Sequence, residues 1–350
     1  MAILYVTEQG ARLVKGQERV EVMKEDQKLQ SIPIYALDQI ILFGNVTLSA
    51  TLRNYLLDQN VDTVFLTRSG RFRGRLTSYS GSNIELRRQH FRRCDDPDFV
   101  LTTSRHFVRG KLRNCRVLLQ RHQRKIQNPD VARGLARMRG IIDKLDNASN
   151  LDQLRGYEGE AGATYFPCLS KVIQEPRFQF LRRSRRPPRD PFNAVISFGY
   201  TMLLNSVMAA AQTVGLEPYL GFLHASANGK PSIGLDLMEE FRPLLVDALA
   251  VRMIHRKQLD ASDFTYQEVS KKTEFEVDDD RELEKADYPV LMGRLSIRKW
   301  LAVYNDELER KLEYPRFGTR LSFKQIILEQ ARLLARHIKG EEEYESFTVR

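Results

Sequence analysis

The sequence predicts an α+β protein, with a small N-terminal β-rich domain followed by a larger all-α C-terminal domain that carries the chemistry. Two observations predict it. Up to about residue 85, apolar residues come in short runs or alternate with polar ones between glycine-containing turns, which is the pattern of half-buried strands. Beyond that point, apolar residues recur every three to four positions over stretches too long for strands. The expected divisions are a β-rich assembly or dimerisation domain at 1–85, a linker at 86–101, a helical domain at 102–340 and a loose charged tail at 341–350.

Taken in order, residues 3–6, 19–22, 32–35, 39–43 and 61–66 read as strands. One helix is expected at 47–58, where Leu48, Leu52, Tyr55 and Leu56 share a stripe. The segment Arg71-Phe72-Arg73-Gly74-Arg75 fits either an edge strand guarded by charge or a phosphate contact. Nothing catalytic shows in this half.

The helical part opens on a long amphipathic helix at 102–128. Phe107, Val108, Leu112, Cys115, Leu118 and Leu119 form its buried side. Eight cations and no acid lie between residues 105 and 127, among them Arg105, Arg109, Lys111 and Arg113. Such a run is either a solvated face or a track for a polyanion. A helix at 131–145 follows, then the stretch LDQLRGYEGEAGATYF at 151–166, where Glu158 lies among small residues. Small residues let another backbone or a ligand come close. FLRRSRRPPRD at 180–190 holds five arginines and two prolines and reads as a basic loop. Apolar helices at 191–214 and 242–255, a polar insertion at 260–287, and helices at 291–312 and 323–338 complete the chain.

The chain has 350 residues, 42% of them hydrophobic, enough for one or two globular domains. With 55 Lys and Arg against 45 Asp and Glu, the formal charge of +10 favours a polyanionic partner, nucleic acid first. Three cysteines without a CxxC pair suit a reducing cytoplasm and give no zinc-finger signal. The first residues lack the basic start of a signal peptide, and no run of 18 apolar residues is present, so no membrane association is expected.

Chemistry concentrates in GFLHASANGKPSIGLDLMEEFRP at 221–243. If 235 onward is helical, Asp236, Glu239 and Glu240 stand at i, i+3 and i+4 on one side. Acids clustered beside apolar residues need neutralising, and carboxylates with the imidazole of His224 suit Mg²⁺ or Mn²⁺. A satisfied core histidine beside a solvated acidic face explains the same residues equally well. There is no P-loop, no GxGxxG and no HExxH.

GYEGEAGATYF, RRPPRDPFNAVISFGYTML and GFLHASANGKPSIGLDLMEEFRP, in this order and spacing, closely resemble the CRISPR-associated integrase (endonuclease) family of the spacer-acquisition module. The resemblance implies an N-terminal β domain, a helical catalytic domain, homodimers and metal-dependent DNA strand transfer in a prokaryotic cytoplasm. It places the family's catalytic, metal-binding residues on Glu158, His224 and Glu239, with Asp236 as a supporting acid. It implies double-stranded DNA partners, a protospacer and a CRISPR repeat, and a small CRISPR-associated protein that bridges two dimers. Arg105, Arg109, Lys111, Arg113, Arg182, Arg183, Arg185, Arg186 and Lys230 are then the candidates for the DNA track. The rival readings are a non-catalytic nucleic-acid scaffold and a branched-DNA repair nuclease.

Overall fold

The structure, a computed structural model, describes residues 2–78, 83–184, 187–266 and 289–349. The chain forms two units. One comprises Met1–Gly81 with Met292–Asn305, the other Ser82–Leu291 with Asp306–Arg350.

The smaller unit holds two four-stranded sheets. Strands β1 (Ala2–Val6), β2 (Arg12–Gly16), β3 (Arg19–Lys24), β4 (Gln27–Pro33), β5 (Leu37–Phe43), β6 (Thr47–Leu48), β7 (Asp62–Leu66) and β8 (Phe72–Leu76) share one helix, α1 (Ala50–Asp58). The first sheet runs β1-β5-β7-β8, parallel except for β8, and the second runs β4-β3-β2-β6. Leu13, Val20, Ile40, Leu52 and Leu56 lie in its core. The expected helix at 47–58 starts later because Ser49 caps it, its side chain accepting from the Leu52 N–H at 3.3 Å. The arginine-rich segment is β8, an edge strand whose Arg75 pairs with Asp62 at 2.9 Å. Residues 292–305 also belong to this unit, a correction to the 1–85 boundary. Arg298 donates to Glu8 at 2.9 Å, and Trp300 and Tyr304 are buried. Distance in sequence hid that membership.

The larger unit begins with α2 (Ile84–Cys94) and α3 (Pro97–Ile126). No linker occupies 86–101, because Leu86 and His90 are buried on α2, and α3 starts at Pro97. Asp95-Asp96-Pro97 reads as a break in sequence. In the structure Asp96 caps α3, accepting from the Asp98 and Phe99 N–H groups at 3.1 Å each, with proline in the first turn where it lacks nothing. Then come α4 (Pro129–Lys144), α5 (Leu151–Val172), α6 (Pro191–Val214), α7 (Ser232–Leu237) and α8 (Ala248–His255). Helix α6 is long and apolar enough to cross a membrane by composition, and 67% of its most apolar window is buried in the protein.

The remainder is not all-α. Strand β9 (Phe264–Tyr266) pairs with β10 (Val290–Met292), and after α9 (Arg294–Glu309) a hairpin of β11 (Lys311–Tyr314) and β12 (Thr319–Ser322) precedes α10 (Phe323–Lys339). Most of the expected 260–287 insertion lies outside the described residues. The tail after α10 is packed rather than loose. Tyr344 and Phe347 are buried, and Asn114 of α3 donates to the Phe347 carbonyl at 2.9 Å and accepts from the Val349 N–H at 3.1 Å. Its charges made it read as solvated, but its two aromatics decide its place.

Candidate active site

Three segments of the larger unit meet at Lys111 of α3. Glu158 comes from α5, and Glu239 from the turn after α7. The Lys111 ammonium pairs with Glu158 Oε1 and, at 2.7 Å, with Glu239 Oε2. Arg242 holds the other oxygen of Glu239 at 3.2 Å. His224 Nε2 stands 3.9 Å from that same oxygen. The structure thus brings together Glu158, Glu239 and His224, which lie 81 residues apart at the extremes of 158 and 239.

Asp236 has a different place. Wholly buried, it accepts the Phe222, Leu223 and His224 N–H groups at 2.6, 3.1 and 2.9 Å. Its Oδ1 also lies 2.7 Å from His224 Nδ1. A carboxylate can only accept, so Nδ1 carries a hydrogen and donates it to Asp236. The loop must pass very close to do this. A Cβ on Gly221 would meet the His224 carbonyl oxygen at 2.6 Å and Asp236 at 3.1 Å.

Asp236, Glu239 and Glu240 therefore do not share a side, a correction to the helical spacing. Helix α7 ends at Leu237 and a turn leads into the π-helical segment Arg242–Asp247, so the 3.6-residue period does not carry through. Glu240 faces the tail, accepting from the Phe347 N–H at 3.0 Å and the Tyr344 hydroxyl at 3.2 Å. Burial pushes its carboxyl up to about 8. Glu239 goes the other way. Burial opposes its charge, but Arg242, Lys111 and His224 outweigh that and hold its carboxyl well below the usual range. Burial likewise pulls on Lys111, and Glu239 and Glu158 overcome it, leaving the ammonium pKa raised.

Behind Arg242 lies support absent from the sequence reading. The guanidinium sits 4.7 Å over the Tyr200 ring. The Tyr200 and Tyr165 hydroxyls donate to buried Asp247 at 2.6 and 2.8 Å. Both tyrosines fall inside the conspicuous stretches GATYF and FGYTML, which was the signal available.

The donor set suits a hard divalent cation: two carboxylates that already converge on one positive charge, and an imidazole nitrogen 3.9 Å from one of them. Among the described residues, no three His, Cys, Asp or Glu side chains stand close enough to one another to hold an ion. Lysine fills that place. A cavity of about 690 Å³ elsewhere in this unit is lined by Arg121, His122, Arg252 and Glu307, and by none of the three candidates.

The family model for "CRISPR associated protein Cas1" matches residues 4–277. The chain belongs to the Cas1 family. A protein of Chlorobaculum tepidum called "CRISPR-associated endonuclease Cas1 1" is 33% identical over 344 residues, covering 97% of this chain and 95% of that one. Among solved structures, a casposase bound to integration product superposes with a TM-score of 0.82 at 20% identity, covering 99% of this chain and 93% of that one. A Cas6-RT-Cas1–Cas2 complex gives 0.82 at 21% identity, covering all of this chain and 36% of that longer one. The α+β architecture is that of Cas1 proteins.

Within this Cas1 fold the expected DNA-track cations part ways. Arg105 donates to the Leu145 and Ala148 carbonyls at 2.9 and 3.1 Å, and Arg109 pairs with Asp146. Lys111 turns inward to the site, and Arg113 is exposed. Arg182 is exposed too, whereas Arg183 donates to Asn193 and Ser197 at 2.7 and 3.0 Å. Lys230 lies 3.4 Å from the Ala225 carbonyl in the His224 loop. Arg185 and Arg186 lie outside the described residues. On α5, a Cβ on Gly156, Gly159 or Gly162 would meet nothing within 4 Å, so these glycines leave open space along that helix.

Proposed function

We propose that this chain is a divalent-metal-dependent DNA endonuclease and integrase that inserts short DNA fragments into a CRISPR array by transesterification. The observation that carries the reading is the convergence of Glu158, Glu239 and His224 Nε2, with Asp236 fixing the imidazole. Membership of the Cas1 family and the endonuclease name of its relative support it.

Glu158, Glu239 and His224 would hold Mg²⁺ or Mn²⁺, which supplies Lewis acidity toward a phosphodiester oxygen. The protein's own groups do the rest. Asp236 keeps the proton on Nδ1 and so keeps Nε2 a ligand. Arg242, held over Tyr200, would add fixed positive charge beside the pentacoordinate phosphorus, which gathers negative charge. In the transfer a 3′ oxygen forms a bond to phosphorus, and the scissile P–O3′ bond breaks. One proton leaves the attacking hydroxyl, and one goes to the departing oxygen.

Double-stranded DNA, a homodimer and a small bridging CRISPR-associated protein complete the proposal. The Cas1–Cas2 complex among the structural neighbours supports that last partner. The test is strand transfer in vitro of a labelled 3′-hydroxyl duplex into a plasmid carrying a repeat, with the partner protein present. Wild type should join in Mn²⁺ or Mg²⁺ and stop in chelator. His224→Ala should lose joining by 10²-fold or more, in the range seen when groups essential to the transition state are removed, and keep salt-sensitive DNA binding. DNA binding with no metal-dependent turnover in wild type would favour the scaffold reading, and cleavage of branched DNA without joining the repair-nuclease reading.

A further inference from the structure

Lys111 is the one participant for which a metal site has no evident use. Its ammonium contacts Glu158 and Glu239, the two acids that would have to meet the metal. Its side chain is only 16% exposed, so little water shares the screening. Charge in the cluster is balanced as built, with Glu158 and Glu239 against Lys111 and Arg242.

A divalent ion cannot enter that arrangement without removing a cation, because an ammonium and a metal cannot both touch the same two carboxylates. The two resident cations differ in how readily they leave. Arg242 is planar, stacked over Tyr200 and anchored through Tyr200 to Asp247. Lys111 is a point charge on a flexible stem, and its contacts are these two carboxylates. It also projects from α3 at the turn that carries Asn114, the residue that ties down the C-terminal tail, so its backbone is firmly placed.

We infer that Lys111 is a built-in counter-cation that holds Glu158 and Glu239 together before metal binds and is displaced when it does. It therefore stabilises the empty site and competes with the metal, lowering metal affinity. This rests on Glu158, His224 and Glu239 being the metal ligands. Metal binding by mutual exclusion makes two opposed demands on one substitution. Removing the charge should tighten metal binding and weaken the metal-free protein, since buried Glu239 and half-buried Glu158 lose their counter-charge.

The experiment is Mn²⁺ titration of the full chain without DNA, by calorimetry and by loss of the free-ion paramagnetic signal, with thermal unfolding in chelator and in saturating Mn²⁺. Lys111→Met should bind Mn²⁺ about tenfold more tightly or better. Its melting temperature should fall below wild type in chelator and recover most of the difference in Mn²⁺. Lys111→Arg, which keeps the charge, should bind no more tightly than wild type. If Lys111→Met folds poorly, Lys111→Gln repeats the comparison. Affinity equal to or weaker than wild type in the neutral variants, with the melting deficit unchanged by Mn²⁺, overturns the inference and leaves Lys111 a purely structural cation. No Mn²⁺ binding in wild type and in His224→Ala alike would instead bring down the metal reading itself.

Discussion

At the scale of single residues, Asp236 shows how a buried acid serves a site without facing the substrate. Four donors converge on its two oxygens, three of them backbone. Asp236→Asn keeps the shape and turns one acceptor into a donor facing N–H groups. Partners of this kind tune ligating histidines, and losing one typically costs 10- to 100-fold in activity or metal affinity. Strand-transfer rate and Mn²⁺ affinity should both fall by about that factor in Asp236→Asn. Stability should drop by about 1–3 kcal/mol for the unsatisfied buried groups, read as a lower urea midpoint. Retained rate with lost stability would make Asp236 a fold residue only.

Among elements, the tail after α10 is where packing overrides composition. Phe347 stacks against Phe241, beside the acidic turn, at 6.2 Å between ring centroids, and lies 3% exposed. Phe347→Ala should cost about 3–5 kcal/mol, the usual range for a buried aromatic, seen as an earlier denaturation midpoint. A subtler probe is Gly110 of α3. A Cβ there would meet the Ser346 Cβ at 2.3 Å, so Gly110→Ala must push the tail outward. The same midpoint should fall, and exchange of the Phe347 amide, which donates to Glu240, should speed up. An unchanged exchange rate would show that the tail accommodates the methyl group without leaving.

Taken as a whole, the molecule should lose stability in mild acid through His90. The ring is fully buried on α2, its Nδ1 accepting from the Glu217 N–H at 3.3 Å, and burial lowers its pKa to about 4. In the unfolded chain the ring titrates near 6.5. A depressed histidine stays neutral when folded, so its stability contribution is complete above pH 6.5. It is lost as pH falls from 6.5 toward 4, reaching about 3 kcal/mol in all. His90→Gln should flatten that limb of the stability–pH curve measured by urea unfolding. A limb of the same slope in the variant would assign the acid loss to other groups.

The sequence alone determined the α+β division, most strands of the first 66 residues and the stretches that hold Glu158, His224 and Glu239. Periodicity and residue type carry that information, because alternation and three-to-four spacing follow from backbone geometry. Only the tertiary structure decided which way charge faces. Lys111 and Arg113 stand two apart in one basic run, yet one pairs with two acids inside and the other is exposed. Asp236, Glu239 and Glu240 read as one acidic face and serve three different partners. Composition counts charges without their neighbours. This ion-pair cluster, largely shielded from solvent, depends on groups brought from α3, α5 and the turn after α7, and no local pattern encodes that meeting.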